Sequence, residues 1–316
     1  MARLSQYVLS ERERDMTNQE NQRAVVVTGA STGIGKTIAL TLDSDGYRVF
    51  AGVRKEVDGA ALRRDATDNL RPILLVVTDA SSVARAVETV AASTGGALHG
   101  LVNNAGVGLG GPLEIVPISE TRRLMEVNVI GLLAVTQAFT PMLRKTGGRI
   151  VNIGSLTGLV ATPGASSYAA SKFAVQAITD SLRVELKPFG IRVSIIDPGA
   201  IESDIWEKSR RQKNAIIDAV PPELAELYAP LIEMGKRLGE SPRDILPASY
   251  VARDVVNALG SKRPKARYLV GPGARKAAKL ARLPVWLRDW LLNKFMNAGI
   301  RNKSERAGND VARVAA

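Results

Sequence analysis

The chain has 316 residues, 45% of them hydrophobic and 23% charged, and a formal net charge of +12. It contains no cysteine and a single histidine, His99, which excludes disulfides, thiolate metal sites, a cysteine nucleophile and most histidine-based mechanisms. The positive charge is concentrated at positions 262–294, which hold ten Lys or Arg and one acidic residue. No DNA- or RNA-binding motif accompanies this segment, so we expect neither a nucleic-acid partner nor a metal ion.

Residues 1–22 and 301–316 are polar, charged and without periodicity, which predicts flexible tails. The N-terminal tail lacks the apolar segment of a signal peptide, and no apolar run reaches the roughly 18 residues of a membrane-spanning helix. We therefore expect a cytoplasmic protein that is neither secreted nor membrane-spanning.

Short β-rich runs alternate with longer helical patterns along the chain. Several runs are apolar at consecutive positions, as expected for strands that helices cover on both faces. This order predicts an α/β fold, a Rossmann-type doubly wound parallel sheet of about seven strands with helices on both faces. The predicted strands are 24–28, 47–53, 73–78, 100–104, 149–153, 192–196 and 267–270.

The alternation also predicts the domain organisation. Residues 23–272 form one catalytic domain, followed by a basic amphipathic helical extension over 273–300. The region 200–247 interrupts the alternation before the last strand and contains Pro221, Pro222 and Pro230. Because ligands bind beyond the carboxyl ends of parallel strands, this insert is expected to cover the substrate.

The first predicted strand runs into a glycine-rich turn, TGASTGIGKT, at 28–37. A phosphate loop of a nucleotide hydrolase would need a glycine five positions before Gly35, and Ala30 stands there. The positions of Gly29, Gly33 and Gly35 instead favour a dinucleotide-binding turn that opens onto a helix N-terminus. A tight strand-to-helix turn without a ligand remains the alternative.

Three further stretches accompany this turn: LVNNAG at 101–106, IVNIGS at 150–155 and YAASK at 168–172. With Pro198-Gly199, they make the chain resemble the short-chain dehydrogenase/reductase family over about residues 23–272. The stretches FAGVR, SKFAVQAITDSLRVELKPFGIRVSIIDPG and KARYLVGPG resemble the branch that holds retinol and hydroxysteroid dehydrogenases. This resemblance implies an oxidoreductase that interconverts an alcohol and a ketone or aldehyde on an apolar, steroid-, retinoid- or lipid-like substrate.

Tyr168 and Lys172 are four residues apart on a predicted helix and so share one face. A nearby ammonium favours the phenolate, so we expect Lys172 to lower the pKa of Tyr168 and make it an acid/base group. Ser155, at the end of a predicted strand, can hold the substrate oxygen. The resemblance implies these same roles, with Lys172 also binding the nicotinamide ribose and Asn128 supporting a proton-relay water.

The resemblance also implies the contacts to a nicotinamide dinucleotide. Asn103, Ala105 and Gly106 are expected to line the adenosine side and to brace the central strand, and Val76 stands where the family has an adenine-contacting aspartate. Asp79 is a weaker candidate for that contact and a better one for a helix N-cap. The expected cofactor-binding residues are Gly29, Ser31, Thr32, Gly33, Ile34, Gly35, Arg54, Val77, Asn104, Ala105, Gly106, Tyr168, Lys172, Pro198, Gly199, Ile201 and Ser203.

The end of the second predicted strand indicates which dinucleotide is used. An NAD site places an acidic residue there for the ribose 2′-hydroxyl, whereas a 2′-phosphate requires a cation. Val53 occupies the acid's position and is followed by Arg54 and Lys55. We therefore expect NADP(H). NAD remains the alternative, because some family members without the acid use it and Arg54 would then be a solvated loop residue.

Apolar residues of the insert are candidates for the substrate pocket, with core packing as an equal alternative. They are Ile205, Trp206, Ile216, Ile217, Leu224, Leu227, Tyr228, Leu231 and Met234. The segment 275–296 combines an apolar stripe with flanking Lys and Arg, which favours either packing onto the protein or peripheral contact with an anionic membrane. We expect a homo-oligomer formed through helices near 120–145 and 165–187.

Two alternatives to a dehydrogenase fit the sequence less well. A serine hydrolase requires a GxSxG turn and a partner histidine, and Ser155 lies in GSLTG instead. A non-catalytic NADP-sensing or scaffold protein on the same fold needs the glycines but has no chemical need for Ser155, Tyr168 and Lys172 together. The intact set favours an enzyme.

Overall fold

The structure is a computed structural model that describes residues 23–202, 211–212, 214–240 and 245–294. The predicted tails and the candidate site residues Ser203, Ile205 and Trp206 lie outside the described residues.

Seven parallel strands form one sheet in the order β3-β2-β1-β4-β5-β6-β7. The order reverses between β1 and β4, which opens a ligand crevice beyond the carboxyl ends of these strands. The predicted fold class is therefore confirmed. The strands are β1 (Ala24–Val27), β2 (Arg48–Val53), β3 (Leu70–Leu74), β4 (Gly100–Asn103), β5 (Arg149–Ile153), β6 (Arg192–Pro198) and β7 (Arg267–Val270).

Helices cover both faces of the sheet, and the alternating side chains of β1 show how. Val25 and Val27 pack towards one face, while Ala24 and Val26 pack towards the other. The helices are α1 (Gly33–Ser44), α2 (Glu56–Arg64), α3 (Ala80–Thr94), α4 (Ile118–Met125), α5 (Gly131–Thr146), α6 (Ser166–Glu185), α7 (Pro222–Leu227), α8 (Ala229–Glu240), α9 (Ser249–Gly260) and α10 (Gly271–Leu280). Helices α1 and α9 cover the first face, and α3 and α5 cover the second.

The third strand is the one predicted element that the structure shifts substantially. It spans Leu70–Leu74 rather than 73–78, and it pairs only with β2. Pro72 lies within it, and a proline is tolerated there because an edge strand leaves one side of its backbone unpaired. The apolar run that suggested a later strand instead continues into the turn before α3.

Residues Ile118–Thr146 form a helical segment long and apolar enough, by length and composition, to cross a membrane. Val135, Phe139 and Leu143 of this segment are fully buried in the protein core. Its apolar character is therefore explained by packing against the sheet, as in the core helix of a soluble protein.

The described part of the insert lies against the loops that follow β4 and β5 and against α4. The Tyr228 hydroxyl donates a hydrogen bond to Glu114 at 2.6 Å, and Gln212 donates to Glu120. A methyl group added at Gly164 would lie 3.9 Å from Leu231. These contacts support the predicted covering role, which stays a prediction.

The C-terminal extension packs onto the protein through one face. Ala277 of α10 is buried against Leu159 and Val160, and Leu280 and Leu292 pack on the same cluster. Residues 285–294 are helical. Val285, Trp286 and Trp290 on this second helix are 60%, 71% and 53% exposed. Packing onto the protein therefore accounts for one face of the extension only.

Candidate active site

The predicted catalytic serine and tyrosine meet at the carboxyl end of β5. Ser155 follows the strand by two residues in an extended conformation, and its side chain forms a hydrogen bond with Tyr168. The Ser155 hydroxyl also accepts a hydrogen bond from the Thr157 main chain at 3.2 Å, which begins the short 3₁₀ turn Leu156–Gly158. Its oxygen is thereby held towards the first turn of α6.

Lys172 lies one turn further along α6, as the spacing predicted. It is buried, and its Nζ lies 5.9 Å from the centroid of the Tyr168 ring. The ammonium donates a hydrogen bond of 2.9 Å to the carbonyl of Ile153, the last residue of β5. The lysine therefore ties α6 to the strand that leads to Ser155.

The pKa of Tyr168 shifts in the opposite direction to the one the sequence predicts. Burial raises the pKa of the Tyr168 hydroxyl above its ordinary value, and the hydrogen bond with Ser155 opposes this rise. Burial also lowers the pKa of Lys172 to about 8, with the charge of Asp197 opposing the decrease. The expectation that Lys172 makes the phenol more acidic was wrong for the protein's own groups, because desolvation of the phenolate is the larger effect.

Asn128 lies in a π-helical turn, Glu126–Ile130, between α4 and α5. Such turns frequently occur at functional sites. The side-chain oxygen accepts from the Val107 amide at 2.8 Å, and the side-chain nitrogen donates to the Val107 carbonyl at 3.0 Å and to Ser171 at 3.1 Å. The amide thus joins the loop after β4 to α6. Both hydrogen atoms of the side-chain nitrogen are used in these contacts, whereas the side-chain oxygen accepts one hydrogen bond and keeps a second lone pair for a relay water.

The NNAG segment and the glycine turn are built as one unit. The amides of Asn104 and Ala105 both donate to the Thr28 hydroxyl at 3.0 Å, and the Asn104 side chain donates to the carbonyls of Thr28 and Gly29 at 3.0 Å. Asn103 is buried and donates to Thr136 and Asn152 at 2.9 Å, so it braces the sheet as predicted. Gly106 lies beside Asn128.

Two glycines of the turn are required by close packing. Gly29 has φ +64°, and a Cβ on it would lie 2.8 Å from the Cα of Ala105. A Cβ on Gly35 would lie 2.1 Å from the Gly29 carbonyl oxygen and 2.3 Å from Asn104 Nδ2. Any larger residue would force the two segments apart.

The start of α1 fits a dinucleotide diphosphate. Thr32 is the N-cap residue, yet its side chain makes no capping hydrogen bond, and the first turn carries no acidic residue. By contrast, Asp79 caps α3 by accepting from the amides of Ser81 and Ser82 at 2.9 and 3.2 Å, as predicted. An uncapped N-terminus without acidic residues suits an anion. Ser31 is half-buried and Thr32 exposed at this turn, and the Ile34 side chain packs on the core.

The other predicted cofactor residues lie at neighbouring strand ends. Arg54 is exposed directly after β2, whose Gly52 carbonyl accepts a hydrogen bond from the Ala30 amide of the glycine turn. Val77 lies against Gly131 of α5. Pro198 ends β6, the Gly199 amide donates to Val270, and buried Ile201 forms a bridge with Leu246. The structure thus brings these positions to one edge of the sheet, and Ser203 lies outside the described residues.

Sequence reasoning missed Asp197, a fully buried carboxylate near the end of β6. Its Oδ1 accepts hydrogen bonds from the Ser155 main chain at 3.1 Å and from Gln176 at 2.6 Å. The signal in the sequence was a charged residue that ends the apolar run VSII before Pro198. A carboxylate in such a strand must be paired if it is buried, which made it a candidate.

Comparison with known proteins agrees with this geometry. The family model of the short chain dehydrogenases matches residues 23–214. The chain is 34% identical to the 17-beta-hydroxysteroid dehydrogenase type 6 of Bos taurus over 297 residues, 90% of this chain and 92% of the relative. It is also 34% identical to retinol dehydrogenase 16 of Mus musculus over 289 residues, 89% of this chain and 91% of the relative.

Among solved structures, a short chain dehydrogenase from Burkholderia cenocepacia J2315 in complex with NADP has a TM-score of 0.66 at 28% identity. The match covers 87% of this chain and 99% of that one. The chain therefore belongs to the short-chain dehydrogenase/reductase family, in its branch resembling retinol and hydroxysteroid dehydrogenases, and is an oxidoreductase that acts on alcohol or carbonyl groups.

Proposed function

We propose that the protein uses NADP(H) to interconvert an alcohol and its ketone or aldehyde on an apolar substrate, with Tyr168 as the acid/base group. The observation that carries this proposal is that Ser155, Tyr168 and buried Lys172 meet at the carboxyl end of β5, where Lys172 Nζ donates to the Ile153 carbonyl and lies 5.9 Å from the Tyr168 ring centroid. These groups lie at the same edge of the sheet as the uncapped N-terminus of α1.

Reduction of a carbonyl adds a hydride to carbon and a proton to oxygen. The reduced nicotinamide ring, when bound, supplies the hydride. Tyr168 supplies the proton from its hydroxyl, and its raised pKa keeps that proton in place until it is transferred. The Ser155 hydroxyl orients the substrate oxygen. Lys172 holds the end of β5 and, by the family resemblance, the nicotinamide ribose. In the oxidative direction the Tyr168 hydroxyl must first lose its own proton, and the resulting phenolate receives the alcohol proton.

Replacing Tyr168 with Phe tests the acid/base role. We expect kcat to fall by about 10²–10⁴-fold, the usual contribution of a positioned proton donor. Cofactor affinity, measured by fluorescence titration, should change little. The matched control is Tyr250→Phe, at an exposed tyrosine on α9. Activity retained in Tyr168→Phe would disprove the assignment.

The preference for NADP rests on Arg54, an exposed cation at the end of β2 beside the glycine turn, where no acidic residue stands. Arg54→Ala should lower kcat/KM with NADPH by about tenfold, since it removes a charge-assisted phosphate contact, and leave the value with NADH nearly unchanged. Arg253→Ala, at an exposed arginine on α9, is the control. A clear preference of the unmodified protein for NADH would contradict the proposal.

The apolar substrate class is supported by the insert. Most of its described pocket candidates are half-buried, as expected for a lining and unlike a closed core, while Leu227 is exposed. Leu231→Ser should raise KM for an apolar substrate, whereas Leu227→Ser should not. A screen of steroids, retinoids, aliphatic ketones and sugars, followed at the nicotinamide absorbance band, identifies the class. A higher kcat/KM for sugars would rule out an apolar substrate.

Peripheral membrane contact is supported by the exposed face of the C-terminal extension. Trp286 and Trp290 are accompanied by the exposed cations Arg282 and Lys294. Aromatic rings with flanking positive charge suit an anionic lipid interface. The joint substitution Trp286→Ala and Trp290→Ala should reduce co-sedimentation with phosphatidylserine-containing vesicles, and Val57→Ala on α2 should not. Equal pelleting of all three proteins would exclude a membrane contact through Trp286 and Trp290.

A homo-oligomer is supported by exposed apolar side chains on the helices named for it. Ile130, Leu133, Phe173 and Val184 are all exposed on the helical segments around α5 and α6. Light scattering during size-exclusion chromatography should give a multiple of the 33.8 kDa chain mass, and Leu133→Glu should reduce it. A monomeric mass for the unmodified protein would exclude this assembly.

A further inference from the structure

Asp197 lies behind the catalytic groups rather than among them. It is fully buried near the end of β6, next to β5, and its Oδ1 accepts hydrogen bonds from the Ser155 amide and from Gln176. Gly154, directly before Ser155, leaves room for it, because a Cβ there would lie 2.0 Å from this oxygen. The chain therefore brings a carboxylate to the main chain of its catalytic serine.

The same carboxylate is joined to the catalytic helix. Gln176 follows Lys172 by four residues on α6, so the two side chains share one face. The Gln176 amide donates to Asp197 at 2.6 Å, and its oxygen accepts from Arg267 of β7 at 2.6 Å. Gln176 thus fixes Asp197 with respect to both α6 and β7.

The second carboxylate oxygen is less well satisfied. Asp197 Oδ2 lies 3.4 Å from Arg267 Nε, without hydrogen-bond geometry, and accepts no hydrogen bond from the described residues. Arg267 itself is partly exposed. A neutral side chain would suit this position better if it served only packing, because a buried carboxylate is tolerated only when strongly compensated.

The charges acting on Asp197 are few. Lys172 on α6 and Arg267 on β7 interact with it, while the charged side chains of α9 and α10, which also pack against β6, do not contribute among the described residues. Burial raises the pKa of Asp197 to about 6, and the positive charge of Arg267 is the largest effect that lowers it. Its negative charge in turn raises the pKa of Lys172.

We propose that Asp197 is a positioning residue of the oxidoreductase site, whose ionised carboxylate fixes the Ser155 main chain and, through Gln176, the face of α6 that carries Lys172. Protonation of Asp197 would then weaken both effects together and slow turnover at acid pH. The part of this proposal that concerns turnover rests on the proposed function. The part that concerns Ser155 and Lys172 does not.

The first test needs no turnover. The amide signal of Ser155 is followed by NMR on protein labelled with ¹⁵N-serine, across pH 5 to 8. We expect the signal to titrate with a midpoint near 6 and to lose this titration in Asp197→Asn, which keeps the size and one acceptor oxygen but no charge. Asp180→Asn, at an exposed carboxylate on α6, should leave the titration intact. A Ser155 titration that persists in Asp197→Asn overturns the proposal.

The second test is the pH profile of kcat/KM. The unmodified enzyme should lose activity as the pH falls through about 6, and Asp197→Asn should not show this acid limb of the profile. At pH 7 the kcat of Asp197→Asn should be about tenfold lower, because the hydrogen bond from the Ser155 amide to a charged carboxylate is replaced by a weaker one to a neutral amide. If Asp197 had only a structural role, Asp197→Asn would keep the loss of activity at acid pH and would not affect kcat more than KM. An acid limb retained in Asp197→Asn overturns the proposal.

Arg267→Gln gives a second variant should Asp197→Asn fail to fold. Because Arg267 lowers the pKa of Asp197, its removal should raise the midpoint of the Ser155 titration. An unchanged midpoint would contradict the proposal. If the Ser155 titration follows Asp197 but no substrate is turned over, the positioning role stands and the proposed function fails.

Discussion

Replacing Asp197 with Asn should make the folded protein more stable at neutral pH, although it impairs the site. The reason is that burial raises the pKa of this carboxyl to about 6, from an ordinary 3.8. The folded state therefore holds the proton more tightly than the unfolded state does, and ionising Asp197 in the folded state is unfavourable.

The pH dependence follows from these two pKa values. Well below pH 3.8 the carboxyl is protonated in both the folded and the unfolded state, so ionisation of Asp197 does not change the free energy of unfolding. As pH rises to 6, the unfolded state ionises first and the folded state loses relative stability. Above this range the loss reaches about 3 kcal/mol, since each tenfold difference in acidity corresponds to about 1.4 kcal/mol. Asn cannot ionise, so the variant avoids the loss.

The assay is urea unfolding at pH 5, 6.5 and 8, followed by tryptophan fluorescence and circular dichroism. The stability gain of Asp197→Asn over the unmodified protein should increase with pH and approach about 3 kcal/mol at pH 8. Asp180→Asn, which changes an exposed ion-paired carboxylate, should show no such trend. A variant that is destabilised equally at all three pH values would refute the reasoning and would mean that the hydrogen bonds of Asp197, rather than its charge, dominate.

Three other substitutions test the packing around the site. Gly35→Ala should abolish measurable cofactor binding in fluorescence titration, because its Cβ would lie 2.1 Å from the Gly29 carbonyl oxygen; binding of normal strength would contradict the packing argument. Asp79→Ala should lower the free energy of unfolding by about 1 kcal/mol through loss of the α3 cap, measured by urea denaturation, and an unchanged value would show that the cap is replaced. Asn128→Ala should lower the free energy of unfolding by about 1–3 kcal/mol in urea denaturation, because it removes the buried hydrogen bond to Ser171 and leaves the half-buried Val107 amide without its acceptor; an unchanged value would indicate that water takes over these bonds.

The sequence determined the fold class and predicted the residues that meet at the candidate active site. Six of the seven strands lie close to their predicted positions, because buried strands carry apolar residues that can be read along the chain. The spacing of Tyr168 and Lys172 likewise places them on one face of α6, since helix geometry is local. The brace made by Asn103 and the cap made by Asp79 also follow from local patterns.

Only the tertiary structure decided the electrostatics of the site. Residues distant in sequence determine how far Tyr168 is buried, and that burial reverses the expected direction of its pKa. The contacts of Asp197 come from positions 155, 176 and 267, so no pattern around residue 197 could reveal them. The shift of β3 has the same origin, because pairing with β2 decides where an edge strand ends. Local geometry is encoded in short stretches of sequence, whereas desolvation and charge pairing depend on which distant segments the fold brings together.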